Sequence, residues 1–173
     1  MKRNVSVYNK PSVYSFNFDS IETDTSYQKN NEIFSTEFFS LKDTSKTATV
    51  LPVYNSAKAT SDTTPSKEFS KALVSSGGGS VYSLTPAVNG IFTIYVTFTN
   101  SDWSKKTQSK AGVLTLGGDF SEAEVFNFVG SNEVAYHVTK EVQAKKTYTF
   151  TASSNKSALF GVDFEISAEE PTE

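Results

Sequence analysis

The sequence predicts an all-β protein, an antiparallel jelly-roll-like β-sandwich with at most one short helix. Three observations predict it. Apolar residues alternate with polar ones at period two in several separate runs. Turn-forming residues punctuate those runs at short intervals. Ser and Thr make up about a quarter of the 173 residues and aromatics 13%, so the chain is rich in strand and turn formers.

The clearest run is Ile91–Thr99, with Phe92, Ile94, Val96 and Phe98 on one face and mostly Thr and Tyr on the other. Lys146–Ala152 repeats the pattern with Tyr148, Phe150 and Ala152 inward. Phe160, Val162, Phe164 and Ile166 form a third inward set, with Gly161, Asp163 and Glu165 outward. Val134, Tyr136, Val138 and Val142 make a fourth, interrupted by Lys140. Shorter strands are expected at 113–116 and 125–129. Tyr14, Phe16 and Phe18 alternate, and 33–41 and 47–54 also read as strands. Asn89-Gly90, Gly117-Gly118-Asp119 and Ser153–Ser157 are the turns between them. Residues 66–74 are the one helical candidate, because Phe69, Ala72 and Leu73 have i, i+3, i+4 spacing before Gly77-Gly78-Gly79. The expected organisation is an N-terminal arm or first strand over 1–31, a sandwich over 32–167 and an acidic tail over 168–173.

Composition closes off several functions. The absence of Cys excludes a disulfide scaffold and a thiolate site, and a single His excludes a site built on two imidazoles of one chain. A net charge of −3 argues against nucleic acid as a partner, because phosphate neutralisation needs excess basic charge. No run approaches 18 apolar residues, so no membrane-spanning helix is expected.

Residues 66–167 have a familiar order. Lys67–Leu73, Gly77-Gly78-Gly79 and Val81–Pro86 are followed by Asn89–Tyr95, Val113–Leu116, Lys146–Ser153 and Leu159–Phe164. This resembles the small β-sandwich modules appended to bacterial pectate lyases and other polysaccharide-degrading enzymes, which are galactose-binding-like jelly rolls. The resemblance covers about 100 residues. It implies a β-sandwich and a non-catalytic, carbohydrate-binding role.

Candidate chemistry is sparse. His137 has no Gly-x-Ser-x-Gly elbow to serve, and a surface or packing role is expected. Glu122 and Glu124 lie two residues apart, whereas a glycosidase pair flanks a bond from different elements. Asp19, Glu22 and Asp24 form a loose acidic cluster, but calcium takes about six to eight oxygens and the spacing does not match an EF-hand loop, so the cluster is a weak signal and no metal or cofactor is assigned. Gly77–Ser80 lacks the Lys of a phosphate loop. Lys105, Lys106 and Lys110 read as a solvated loop around Trp103. Trp103 and Tyr82 are the candidate ligand-binding residues, because an aromatic ring beside polar groups suits a sugar or a protein hot spot.

No enzyme is expected. The basic start lacks the apolar segment of a secretory signal, so the first reading is a structural or attachment protein of an assembled particle. That reading names a bacteriophage virion surface protein, a capsid decoration or fibre, made in the cytoplasm and docked through residues 1–31. The alternative is a carbohydrate-binding module of a polysaccharide-degrading system, extracellular if a signal was trimmed. Expected partners are other proteins of an assembly or further copies of the chain, with a glycan as the second class.

Overall fold

A computed structural model describes residues 12–53, 58–99, 111–131 and 133–167. Every regular element among them is a strand. In chain order these are β1 Val13–Asn17, β2 Ser26–Tyr27, β3 Glu32–Ser35, β4 Phe39–Asp43, β5 Ala48–Pro52, β6 Ala59–Ser61, β7 Glu68–Phe69 and β8 Lys71–Gly78. There follow β9 Val81–Pro86, β10 Gly90–Thr99, β11 Ala111–Gly118, β12 Val125–Val129, β13 Val134–Val142, β14 Tyr148–Ser153 and β15 Lys156–Ile166.

The strands form two sheets. One runs β2-β5-β8-β15-β10-β13-β6-β7, with β1 beside β15, and the other runs β12-β11-β14-β9-β4-β3. Pairing is antiparallel except where β6 lies parallel to β13. The all-β sandwich read from the sequence is the fold.

The main core lies between the sheets. Phe92, Ile94, Val96 and Phe98 of β10 face Leu114 and Leu116 of β11, Tyr148, Phe150 and Ala152 of β14, and Leu41 and Leu84. All the inward residues read for 91–99 and 146–152 are in this core. Each such side chain, once removed from water, contributes about 1.5–3 kcal/mol. Packing is close enough to dictate glycine at 112, where an added Cβ would lie 1.9 Å from the Phe98 ring.

A second, smaller core sits on the outer face of the larger sheet. Tyr95, Ala135, Ala158 and Phe160 are covered there by Val53, Ala59, Phe69, Ala72 and Val74. It explains two departures from the sequence reading. Residues 66–74 are β7 and the start of β8, not a helix. Ala72 and Val74 face the second core while Leu73 faces the first, so the run is apolar on both faces and hides its period of two. Phe160 also faces the second core, because the register slips from Tyr95↔Gly161 to Val96↔Leu159 and leaves it as the extra residue of a bulge. The stretch 33–41 is likewise two strands, β3 and β4, joined by a turn in which the Thr36 hydroxyl accepts the Phe38 and Phe39 amides.

Within residues 12–31, β1 pairs with β15 and Phe18 is fully buried. Residues 1–11 and 168–173, and with them the acidic tail, lie outside the described residues.

Candidate functional site

Asn89-Gly90 opens β10 and fixes one wall of a cleft of about 880 Å³. Gly90 pairs with Val142 on one side and Ile166 on the other. A side chain there would meet the Glu165 carbonyl at 2.6 Å, so the three strands can converge only on glycine. The Asn89 side-chain oxygen accepts the Ala144 amide at 2.9 Å, and its carbonyl accepts the Ser167 amide at 3.0 Å. The wall is therefore tied to both neighbouring chain segments.

The turn after β11 makes the opposite wall. Gly118 has φ +69°, and an added Cβ would lie 2.6 Å from the Thr147 carbonyl. Asp119 then locks this turn to the one before β14: its carboxylate accepts the Thr147 amide at 2.7 Å, and its amide donates to the Thr147 carbonyl at 2.8 Å. This geometry brings the half-buried Phe120 to the cleft, with its ring 4.5 Å from Tyr148 and 5.5 Å from Phe150. Tyr148 is itself anchored, its hydroxyl accepting the Gln143 amide at 2.8 Å.

Charge is concentrated here. Asp119, Glu122, Glu124 and Glu141 line the cleft against Lys140 and Lys146. Lys140 binds the Glu124 carboxylate and also lies 6.0 Å above the Phe120 ring. Glu122, Glu141 and Gln143 project from exposed positions, and among the described residues their side chains make no hydrogen bond. The site thus has a fixed frame (Asn89, Asp119, Tyr148) and a set of donors and acceptors left for a ligand.

The sequence-derived candidates fall elsewhere or play other parts. Tyr82 is 1% exposed, and its hydroxyl meets Ser157 at 2.7 Å. Burial first, and then the Asp43 charge, push its hydroxyl well above the ordinary tyrosine range. It is a core residue and offers no ring to a ligand. Trp103, with Lys105, Lys106 and Lys110, lies outside the described residues. Glu122 and Glu124 do reach the cleft, one free and one held by Lys140. Asp19 is spent on the backbone, accepting the Ser70 and Lys71 amides at 2.9 and 3.2 Å.

A second polar cluster lies on the outer face of the larger sheet. Asp163 accepts Ser15 and Lys67 at 2.6 Å each on one oxygen and the Tyr95 hydroxyl at 2.8 Å on the other. Burial, then that hydrogen bond and the nearby carboxylates, hold the Tyr95 hydroxyl far above its usual range. Ser15 and Lys67 are 3.3 Å apart, yet they are no nucleophile–base pair. Lys67 Nζ donates to the Ser15 hydroxyl as it does to Asp163, so it holds that oxygen as a donor and does not accept its proton. Beside them His137 meets Asp62 at 2.6 Å through Nδ1, and no hydroxyl bonds its other ring nitrogen among the described residues. These contacts fasten the chain between β6 and β7 over the second core.

The cleft was the feature sequence reasoning missed. Its signals were present in Asn89-Gly90 and Gly117-Gly118-Asp119, two turns that close on the same end of the sandwich.

No family model matches this sequence, and no curated protein does. Among solved structures it is similar to one from the Ruminococcus flavefaciens cellulosome concerned with glycan recognition, at 14% identity and a TM-score of 0.42, covering 93% of this chain and 98% of that one. It is similar also to a CBM51 from Clostridium perfringens in complex with methyl-galactose, at 9% identity and a TM-score of 0.41, covering 87% and 99%. A third is the Clostridium perfringens ZmpB structure holding an M60 catalytic domain with two CBM51 domains, at 11% identity and a TM-score of 0.45. That match covers 88% of this chain and 15% of the other. None of these three is a pectate-lyase module. At such identities and scores the chemistry of the cleft has to be read from its own residues.

Proposed function

We propose that this chain is a non-enzymatic binding module that takes a neutral carbohydrate in the cleft between Asn89-Gly90 and the turn at 118–124. The observation that carries this is the composition of the cleft: one half-buried aromatic ring, Phe120, beside Glu122, Glu141 and Gln143, whose side chains have no hydrogen-bond partner among the described residues. A sugar presents a C–H face that packs on a ring and hydroxyls that donate to carboxylates and accept from amides. The volume suits a ligand of a few sugar units.

Charge narrows the ligand. Four carboxylates face two ammonium groups, so a polyuronate such as pectate would be repelled and a neutral chain would not. This separates the chain from the pectate-directed side of the resemblance while keeping its carbohydrate-binding side. The particle-surface reading leaned on residues 1–31 as a docking arm. Among the described residues, 12–31 are built into the sandwich through β1, β2 and Phe18.

The test is affinity electrophoresis and calorimetry on a panel of neutral polysaccharides, with polygalacturonate as the charged arm. A neutral class should bind and polygalacturonate should not. Replacing Glu141 and Gln143 together by Ala should weaken binding about tenfold or more, the loss expected from one or two hydrogen bonds to a charged or polar group. Both side chains are exposed, so the Tm should stay within about a degree. No binding to any neutral polysaccharide, or full binding by the double variant, would overturn the assignment.

A further inference from the structure

β12 is the outermost strand of the six-stranded sheet, and its sequence is Val125-Phe126-Asn127-Phe128-Val129. Three features of it belong together. It carries no charge and no proline. Val125 and Val129 are 54% and 64% exposed. It reads the same in both directions about Asn127.

The backbone of this strand is available on one side. The Glu124 carbonyl accepts the Leu116 amide, which sets the parity: residues 124, 126 and 128 turn their backbone groups toward β11, and 125, 127 and 129 turn theirs outward. The Val129 carbonyl, which accepts the Tyr136 hydroxyl at 2.7 Å, agrees with that parity and retains a second lone pair. Among the described residues no strand pairs with this edge.

The other edges are guarded. β2 and β7 are two residues long. β3 has Glu32 and an irregular register. β1 has the Lys67 ammonium 3.3 Å from its Ser15 hydroxyl. Short length, charge and bulges are the usual means of keeping an edge from pairing, and β12 has none of them beyond its five residues.

We infer that β12 is the dimerisation strand of this protein: two copies pair their β12 strands antiparallel about a two-fold axis at Asn127. An isologous contact requires that residue i meet j and j meet i. The palindrome satisfies this with identical partners, Val125 opposite Val129, Phe126 opposite Phe128 and Asn127 opposite its own copy. Asn127 is an outward-turned residue, so the central pair exchanges two backbone hydrogen bonds. Phe126 and Phe128, both half-buried against the main core, continue each core into the other. Only the residue on the axis meets its own copy, and Asn127 is uncharged. Residue 124 of each copy lies about 20 Å from the other by strand geometry, so two clefts would sit at opposite ends of one continuous sheet.

The absence of Cys makes the test direct. Asn127→Cys places the sole thiol on the axis, where Cα atoms of an antiparallel pair lie within disulfide range. Mild oxidation should convert the full-length variant to a covalent dimer, whereas Thr85→Cys, exposed in the same sheet, should stay monomeric. Without oxidation, sedimentation over a concentration series should show a dimer. Changing Val125 and Val129 together to Lys should raise its dissociation constant about tenfold or more, with the Tm nearly unchanged, because both side chains point to solvent in the monomer. A wild-type monomer throughout the series, equal cross-linking at positions 127 and 85, or a dimer indifferent to the double Lys change would each overturn the assignment.

Discussion

The two faces of the larger sheet are buried by different means. On its inner face β10 and β15 set Phe92, Ile94, Phe98 and Phe164 against a second sheet, and the contact is mainly apolar, with the Tyr82–Ser157 hydrogen bond buried in it. On its outer face the cover is a chain segment with two very short strands, and the apolar part is smaller: Tyr95, Phe160 and Phe69 with alanines and valines around them. Ion pairs and hydrogen bonds complete that face, with Asp163 gripping Ser15, Lys67 and Tyr95, and Asp62 gripping His137. Where two sheets meet, buried apolar area carries most of the contact. Where one loop must be held on a sheet, directional contacts fix its position.

The comparison sets the order of expected effects. Phe150→Ala, in the middle of the main core, should cost about 3–5 kcal/mol in denaturant unfolding, the loss expected for a buried aromatic. A cost below that of an outer-face change would invert the ranking. Asp163→Ala should cost about 1–3 kcal/mol, because it strands a half-buried ammonium and a buried phenol. It should also raise proteolysis between residues 58 and 70 before the rest of the chain. Uniform proteolysis would mean that the outer cover does not open as a unit.

Alkaline pH should act next. Tyr82 and Tyr95 hold their protons in the folded state well above the unfolded value near 10. Their contribution is complete below that pH and is lost as pH rises past it, since the unfolded chain releases those protons first. Stability measured from pH 8 to 11 should therefore be flat and then fall. Replacing Tyr95 by Phe should lessen the fall; an unchanged profile would remove Tyr95 from the account. His137→Ala should have the smallest effect, under about 1 kcal/mol, because its partnership with Asp62 is more than a third exposed on both sides.

Much of the main core was legible because one face of each strand met solvent or polar neighbours. Phe92 to Phe98 and Tyr148 to Ala152 alternate for that reason. The second core was not legible, because burial on both faces erases alternation. Residues 72–74 then imitate a helix, and a bulge moves Phe160 across the sheet without any mark in composition. Tyr82 was read as a contributor to the ligand platform, yet its hydroxyl is satisfied inside the fold by Ser157, 75 residues away in sequence, a partner that no local pattern marks. The cleft was hidden for another reason. Its residues come from five separate stretches of chain, and only the turns at 89–90 and 117–119 stand out along the sequence.

The topology also has a bearing on how the chain acquires its shape. β15 occupies the middle of the larger sheet, in contact with β8, β10 and β1, and it is the last strand among the described residues. During synthesis the ribosome therefore delivers the flanking strands first. Val13 waits for Glu165 until about 150 residues later, and such long-range closure makes folding slow. Until residues 156–166 emerge, the nascent chain holds two half-sheets with open inner edges. A chain cut a few residues before Phe160 would lack the strand that both cores need in order to close.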